Sequence, residues 1–476
     1  MNRFTNLQLD LGSAAPEDVK ENRGLWRIRK PRCESPEPFE ARGVFLLSAM
    51  STSTESEPRE HRSGELRLIT RRYYVVWWMY SLAGAFMFGV YPIFLRSRGL
   101  NQFQINSVLA VYFFVTFITD VPTGAFADAV GRRKAFLFSC ATRMVAFAAY
   151  YFAHSYLYFL IAEFIDGIGT TFGNGAVEAW AVDALDEAGF EGLKDRLFSR
   201  VSQLASLGFM VAALIGAYAG DVDIAMPWVL GSVGYLITGF VAAVLMRGEK
   251  LHPHGPARTE ISGLAIRIGR RVRTGVQRGF AKRSRVLLTL ANALLFGAMA
   301  PYWLQWPQYV YDSFGAGLWL VGWLFCFFGI GRLIGSEIIG RYPPMASSRS
   351  GVLTVLVAVA SATLFAAGWM GGRTDVVLVL LFGLNFCVGA IEPLSRSWFN
   401  EEIDAEDRAT LLSFQTTFST LGGAIGLLLS GWIADLYGIG TAWEASALIM
   451  AAIAPCYLAL RPRPAAAPIM RAADEV

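Results

Sequence analysis

From Tyr73 to near the end of the chain, apolar stretches alternate with short polar connections, and each stretch is long enough, at roughly 20 residues, to cross a hydrocarbon core. Twelve such runs can be laid out, over residues 73–95, 104–126, 134–153, 156–182, 197–219, 225–246, 286–310, 317–338, 351–371, 375–398, 410–432 and 440–460. None shows the two-residue alternation of a lipid-facing strand, so each predicts a membrane-spanning helix. An all-α membrane protein with twelve transmembrane helices is the expected fold class. Residues 1–70 lack both this pattern and the apolar core of a secretory signal, and predict a disordered N-terminal tail, with Met50 an alternative start.

Composition agrees with a polytopic membrane protein. The 476 residues are 54% hydrophobic and only 17% charged, with a mean hydropathy of +0.41. The formal charge of +4 is small and does not point to nucleic acid. Its distribution is more informative, because Lys and Arg accumulate on the cytoplasmic side of membrane proteins. Even-to-odd connections carry Arg132, Arg133 and Lys134; Lys194, Arg196 and Arg200; eleven Lys or Arg from Arg247 to Arg285; Arg341 and Arg349; and Arg408, against only Arg96, Arg98 and Arg373 on the other side. Both termini are therefore expected inside, in a plasma (inner) membrane.

The longest connection, residues 247–285, separates one six-helix half at 71–246 from another at 286–460, with a C-terminal tail at 461–476. Within it Ile261, Leu264, Ile268, Val272 and Val276 step by three or four residues while the arginines fall largely elsewhere on the helical wheel. This predicts either an amphipathic helix against anionic membrane lipids or a solvated basic linker. A repeat supports the division. Asp128, Gly131 and Arg132 return as Glu337, Gly340 and Arg341; Gly175 and Glu178 as Gly389 and Glu392; Asp195 and Arg196 as Asp407 and Arg408. The offsets are 209, 214 and 212, nearly constant, as expected for duplicated halves.

The stretch from Gly124 through Asp128 and Gly131 to Arg132 and Arg133 resembles the signature loop of the major facilitator superfamily, with the weaker copy at Glu337 resembling its second-half counterpart. The resemblance covers residues 73–460 and implies two pseudo-symmetric six-helix halves that alternate access to a central site. It further implies a gate in which Asp128 holds helix ends together, near the start of the eleventh span, while Arg132 meets an acid such as Asp183 or Glu178. The same charges, Arg133 included, also suit a simpler role in anchoring the loop and setting topology. Two departures stand against typical proton–drug exchangers of the family: the fourth span has no arginine and the fifth no Gly-Pro pair. Sugar-porter signatures are absent too.

Charges within the spans mark candidate chemistry, since each costs about 2.5–3.5 kcal/mol or more at the bilayer centre unless paired or hydrated. Arg143 in the third span and Asp166 in the fourth fall near mid-membrane, and Glu163 shares a helical face with Asp166. Two carboxylates sharing one arginine make a proton carrier, or else a structural ion pair between helices. Met87, Phe88 and Tyr91 in the first span and Trp303, Gln305 and Gln308 in the seventh offer an aromatic and amide surface for a bulky, partly apolar solute, with Asn174, Asn385 and Gln415 as weaker candidates. Trp306, Tyr309 and Tyr311 fit an interfacial aromatic belt instead.

Other classes lack their requirements. All four histidines lie outside the spans, no P-loop ending follows any glycine run, and the five cysteines show no paired spacing. No catalytic set, metal or other cofactor is expected. The sequence predicts a monomeric secondary transporter of a small organic solute, with proton-coupled efflux of an amphipathic compound first and metabolite or sugar uptake second; a multipass enzyme or receptor is the alternative class.

Overall fold

A computed structural model describes residues 57–190, 192, 195–246, 277–345, 347–403 and 408–460. The expected N-terminal tail up to residue 56, the predicted amphipathic segment at 261–276 and the C-terminal tail lie outside the described residues.

Among the described residues all regular structure is helical. In chain order the helices are α1 (Glu57–Ala85), α2 (Tyr91–Ser97), α3 (Gln102–Val130), α4 (Arg132–Phe152), α5 (Tyr156–Gly173), α6 (Ala176–Glu187), α7 (Asp195–Val222) and α8 (Met226–Leu245). After the long connection come α9 (Arg283–Phe314), α10 (Leu318–Arg341), α11 (Arg349–Trp369), α12 (Thr374–Glu401), α13 (Arg408–Tyr437), α14 (Ile439–Ala451) and α15 (Ala454–Leu458). Among the described residues ten helical stretches are long and apolar enough to cross a membrane, α14 and α15 together making one of them. Two interrupted crossings, α1 with α2 and α5 with α6, bring the total to twelve.

Each interruption has a local cause. Pro92 lies in the first turn of α2, where its missing N–H costs nothing, and the chain turns through residues 86–90 to reach it. Gly175, in the left-handed region at φ +71°, ends the run that the sequence predicts as one helix over 156–182. Pro455 opens α15 in the same way as Pro92 opens α2. The first helix also starts at Glu57, well before the apolar pattern begins at Tyr73. Gly131, at φ +109°, closes α3 and opens α4 with no intervening residue.

In the first half α4 packs on α5 and α8; in the second, α9 packs on α13, and α10 and α11 on α12. The halves meet where α3 lies on α13, α7 on α10 and α2 on α9. In lipid there is no hydrophobic drive between helices, so close backbone approach must do the work. A Cβ on Gly426 would stand 1.9 Å from the Gly297 carbonyl oxygen, and one on Gly422 2.3 Å from that of Ala293, so α9 and α13 touch only because these positions have no side chain. The outward surface is apolar, with Phe152, Phe240, Trp369 and Val379 all exposed.

Candidate functional site: a cavity between the two halves

A cavity of about 910 Å³ lies between the halves. The first half supplies its wall from α1 (Tyr73, Trp77), from Phe88 in the break, and from α6 and α7; the second supplies it from α9 (Tyr302, Trp303, Trp306), α10 and α12. Phe88, Phe209 and Phe325 form a cluster across the halves, with centroid separations of 4.8–5.7 Å. Asn385 donates to the Tyr302 hydroxyl at 2.7 Å. Trp306, which suits a belt on sequence grounds, is instead 3% exposed and lines this cavity, packed against Phe325 and Phe328 of α10.

The cavity also holds four charges: Glu178, Arg332, Glu392 and Arg396. Arg332 donates to Glu392 at 2.5 Å and lies 5.5 Å from the Trp303 ring centre. The helices bring this pair together through Gly389, three residues before Glu392. A Cβ there would stand 2.1 Å from the Arg332 carbonyl oxygen, so α12 rests directly on the backbone that carries the arginine. The duplicated Gly-Ala-x-Glu motif therefore does different work in each half: Gly175 breaks a helix, whereas Gly389 lets two helices touch.

The lining reaches helix ends on one side only. Phe198 near the start of α7, and Ser336 and Arg396 near the ends of α10 and α12, lie toward the loops that carry Arg132 and Arg341. At the opposite end the halves are tied together. Asp221, at the end of α7, accepts from the first two backbone N–H groups of α10, Leu318 at 2.5 Å and Trp319 at 2.9 Å. Asp435, at the end of α13, accepts from the first two of α3, Gln102 at 2.8 Å and Phe103 at 3.0 Å. These carboxylates are 214 residues apart, the offset that also separates Glu178 from Glu392. Each places negative charge on the positive end of a helix from the other half. Arg96 adds an ion pair to Asp312 at 2.5 Å, and Asn106 donates to the Leu427 carbonyl at 2.9 Å.

Arg143, Glu163 and Asp166 come together but do not line the cavity. They are enclosed within the first half at 8%, 4% and 3% exposure. Arg143 grips Asp166 through Nε at 2.8 Å and Nη2 at 3.2 Å, and its guanidinium lies 4.6 Å from the Tyr235 ring centre and 5.4 Å from that of Tyr80. Glu163 accepts a short hydrogen bond from the Tyr150 hydroxyl, which meets the Tyr91 hydroxyl at 3.2 Å and stacks on Trp228. The three charges thus divide into a closed ion pair and a carboxylate held by tyrosines.

Among the described residues the signature loop pairs both with α6 and within itself. Arg132 lies 2.8 Å from Asp183 and 3.7 Å from Asp128, and in the second copy Arg341 lies 2.6 Å from Glu337. Among the described residues Asp128 lies nearest the arginine of its own loop. Gly340 is exposed with open space around it. Arg133 reaches back to the Ala243 carbonyl at 2.7 Å.

Several predicted solute-facing groups are used elsewhere. Gln305 is fully buried and donates to Ser430 at 3.0 Å, joining α9 to α13. Gln308 lines a separate cavity of about 320 Å³ at the tied end, and Tyr91 belongs to the Glu163 network. Met87 packs against the core, Gln415 is buried, and Asn174 is exposed beside Asp120 at 3.5 Å. Arg332 and Arg396 are the charged residues among the cavity lining that spacing did not single out. For Arg332 a signal was available, an arginine inside the apolar run 317–338.

Comparison with known proteins agrees with this geometry. The sequence profile described as Major Facilitator Superfamily matches residues 74–370 and 288–473 in two overlapping stretches. The chain is similar to the multidrug resistance protein MdtH of Salmonella typhimurium, 22% identical over 355 residues covering 73% of this chain and 83% of that protein. Among solved structures, the nucleoside transporter NupG superposes with a TM-score of 0.64 at 13% identity, covering 82% of this chain and 98% of NupG. The human organic anion transporter MFSD10 does so with a TM-score of 0.59 at 14% identity, covering 82% and 99%. With the profile spanning both halves and the fold matching over 82% of the chain, this integral, multipass membrane protein belongs to the major facilitator superfamily.

Proposed function

We propose that the protein is a secondary transporter that exports an amphipathic organic solute in exchange for protons. The observation that carries the reading is the cavity shared by both halves, reaching one end of the molecule and tied shut at the other by bonds that cross between the halves. Such a site serves transport only if the tied end opens while the other closes, so the arrangement corresponds to one of two alternating states. By the distribution of Lys and Arg, the open end is cytoplasmic and both termini lie on that side.

Export is favoured by the mixed aromatic and charged cavity, which suits amphipathic molecules, and by the likeness to MdtH, whose name describes multidrug resistance. The likeness to NupG, titled a nucleoside transporter, favours metabolite uptake as the second reading. Proton coupling falls to Glu163, whose partners are hydroxyl groups rather than an arginine, while Arg143 and Asp166 remain joined throughout. Tyr91 connects Glu163 to the head of α2, next to the break that bears Phe88 on the cavity wall. A change of protonation at Glu163 would thereby reach the cavity.

Proteoliposomes containing the purified protein, loaded with an aromatic dye and subjected to an imposed pH gradient, test the reading. The expected result is dye movement against its concentration gradient that a protonophore abolishes. Movement only down the dye gradient, unaffected by the protonophore, eliminates proton exchange and leaves a uniporter.

A further inference from the structure

We infer that Glu178 and the Tyr73 hydroxyl form a cation subsite in the central cavity, selecting aromatic solutes that carry a single positive charge. This rests on the transporter reading and names the solute class of the same cavity. The duplicated motif puts one carboxylate on each wall, Glu178 from the first half and Glu392 from the second. Among the described residues only Glu392 has a counter-ion, Arg332 at 2.5 Å. Subtracting the repeat offsets from Arg332 lands on residues 118–123 of α3, which contain no basic residue, so the first half has no matching arginine there. Glu178 makes no hydrogen bond or ion pair among the described residues and faces the cavity.

A second group points the same way. Tyr73 is completely buried and lines the cavity, yet its hydroxyl oxygen has no hydrogen-bond partner among the described residues. It lies close enough to Glu178 for the two to interact electrostatically. A buried hydroxyl is normally satisfied, and an ammonium N–H held by Glu178 would satisfy this one. Trp77, one turn along α1 from Tyr73, and Phe198 from α7 add aromatic faces to the same wall, surfaces that attract a cation and stack on an aromatic body. Across the cavity Arg332 and Arg396 present positive charge, which directs a cationic group toward the Glu178 wall. One unpaired carboxylate accommodates one charge.

Quenching of tryptophan fluorescence in the purified full chain, with Trp77, Trp303 and Trp306 as reporters, compares tetraphenylphosphonium with its near-isosteric anion tetraphenylborate. The wild type is expected to bind the cation at least tenfold more tightly. Glu178→Gln, which removes no bond, should keep the melting temperature and lose that preference, while Glu178→Asp retains part of it. Tyr73→Phe should weaken phenethylammonium, measured by calorimetry, but not tetraphenylphosphonium, which has no N–H to offer. Unchanged cation affinity in Glu178→Gln, or wild-type preference for tetraphenylborate bound through Arg396, overturns the subsite. Failure of the transport reading is scored separately: the ion that binds is then not moved by wild-type proteoliposomes.

Discussion

At the scale of single residues, the buried charges of the first half divide into one group whose loss harms the fold and one whose loss is expected to harm only function. Asp166→Asn leaves Arg143 without its counter-ion among aromatic rings, and breaking a buried pair in this way costs about 3–5 kcal/mol. A marked drop in melting temperature of the detergent-solubilised variant should follow. Glu163→Gln still offers an oxygen to the Tyr150 hydroxyl, so its melting temperature should stay near wild type while accumulation driven by a pH gradient is lost. Retained accumulation would remove Glu163 from the coupling mechanism. The sequence made both carboxylates and Arg143 visible, because charge in an apolar run is conspicuous. It could not divide them, since Glu163 and Asp166 share a helical face and differ only in which side chains of α2, α4 and α8 reach them. Glu178 and Glu392 were equally legible as a repeated pair. Their placement in the cavity was not, because that depends on how far α6 and α12 rotate toward the opposite half.

At the scale of helices, the two clasps at the tied end are the natural levers of the conformational equilibrium. A carboxylate at an exposed helix N-terminus contributes about 0.3–1 kcal/mol. Asp221→Asn with Asp435→Asn should therefore shift the population by roughly threefold to thirtyfold toward the state open at that end. Accessibility of an engineered cysteine near Gln308 to a charged thiol reagent reads the shift, and equal labelling of variant and parent would show that the clasps do not hold the end closed. The single variants should act additively, since Asp221 and Asp435 touch different helix pairs. Helix number was legible because a membrane span needs a long apolar run. The interruption at Gly175 was not, since one glycine amid apolar residues reads the same whether φ is positive or negative. The clasps were hidden for another reason: Asp221 and Asp435 stand in the polar margins of their spans, where acidic residues are ordinary.

At the scale of the whole molecule, twofold architecture was legible from three short motifs returning at a common spacing. Which end is open is not legible in the sequence, because under the proposed alternation the same chain adopts both states. Fixing the tied end therefore tests the working cycle. With Arg96→Cys and Asp312→Cys joined by a short thiol cross-linker, solute should still enter and bind from the open end but transport should cease, and a reducible linker should restore it on cleavage. Continued transport in the cross-linked protein would refute alternation between these ends. The clasps carry one more implication, for how such a lock withstands mutational drift. Its donating half is main chain, so any residue that starts α3 or α10 offers the same N–H, and side chains at Gln102, Phe103, Leu318 and Trp319 are free of that duty. Proline is the exception. Gly317 is extended, at φ −64° and ψ 167°, and suits a residue before proline, so Leu318→Pro should start the helix normally while deleting one strand of the lock and leaving every charge in place.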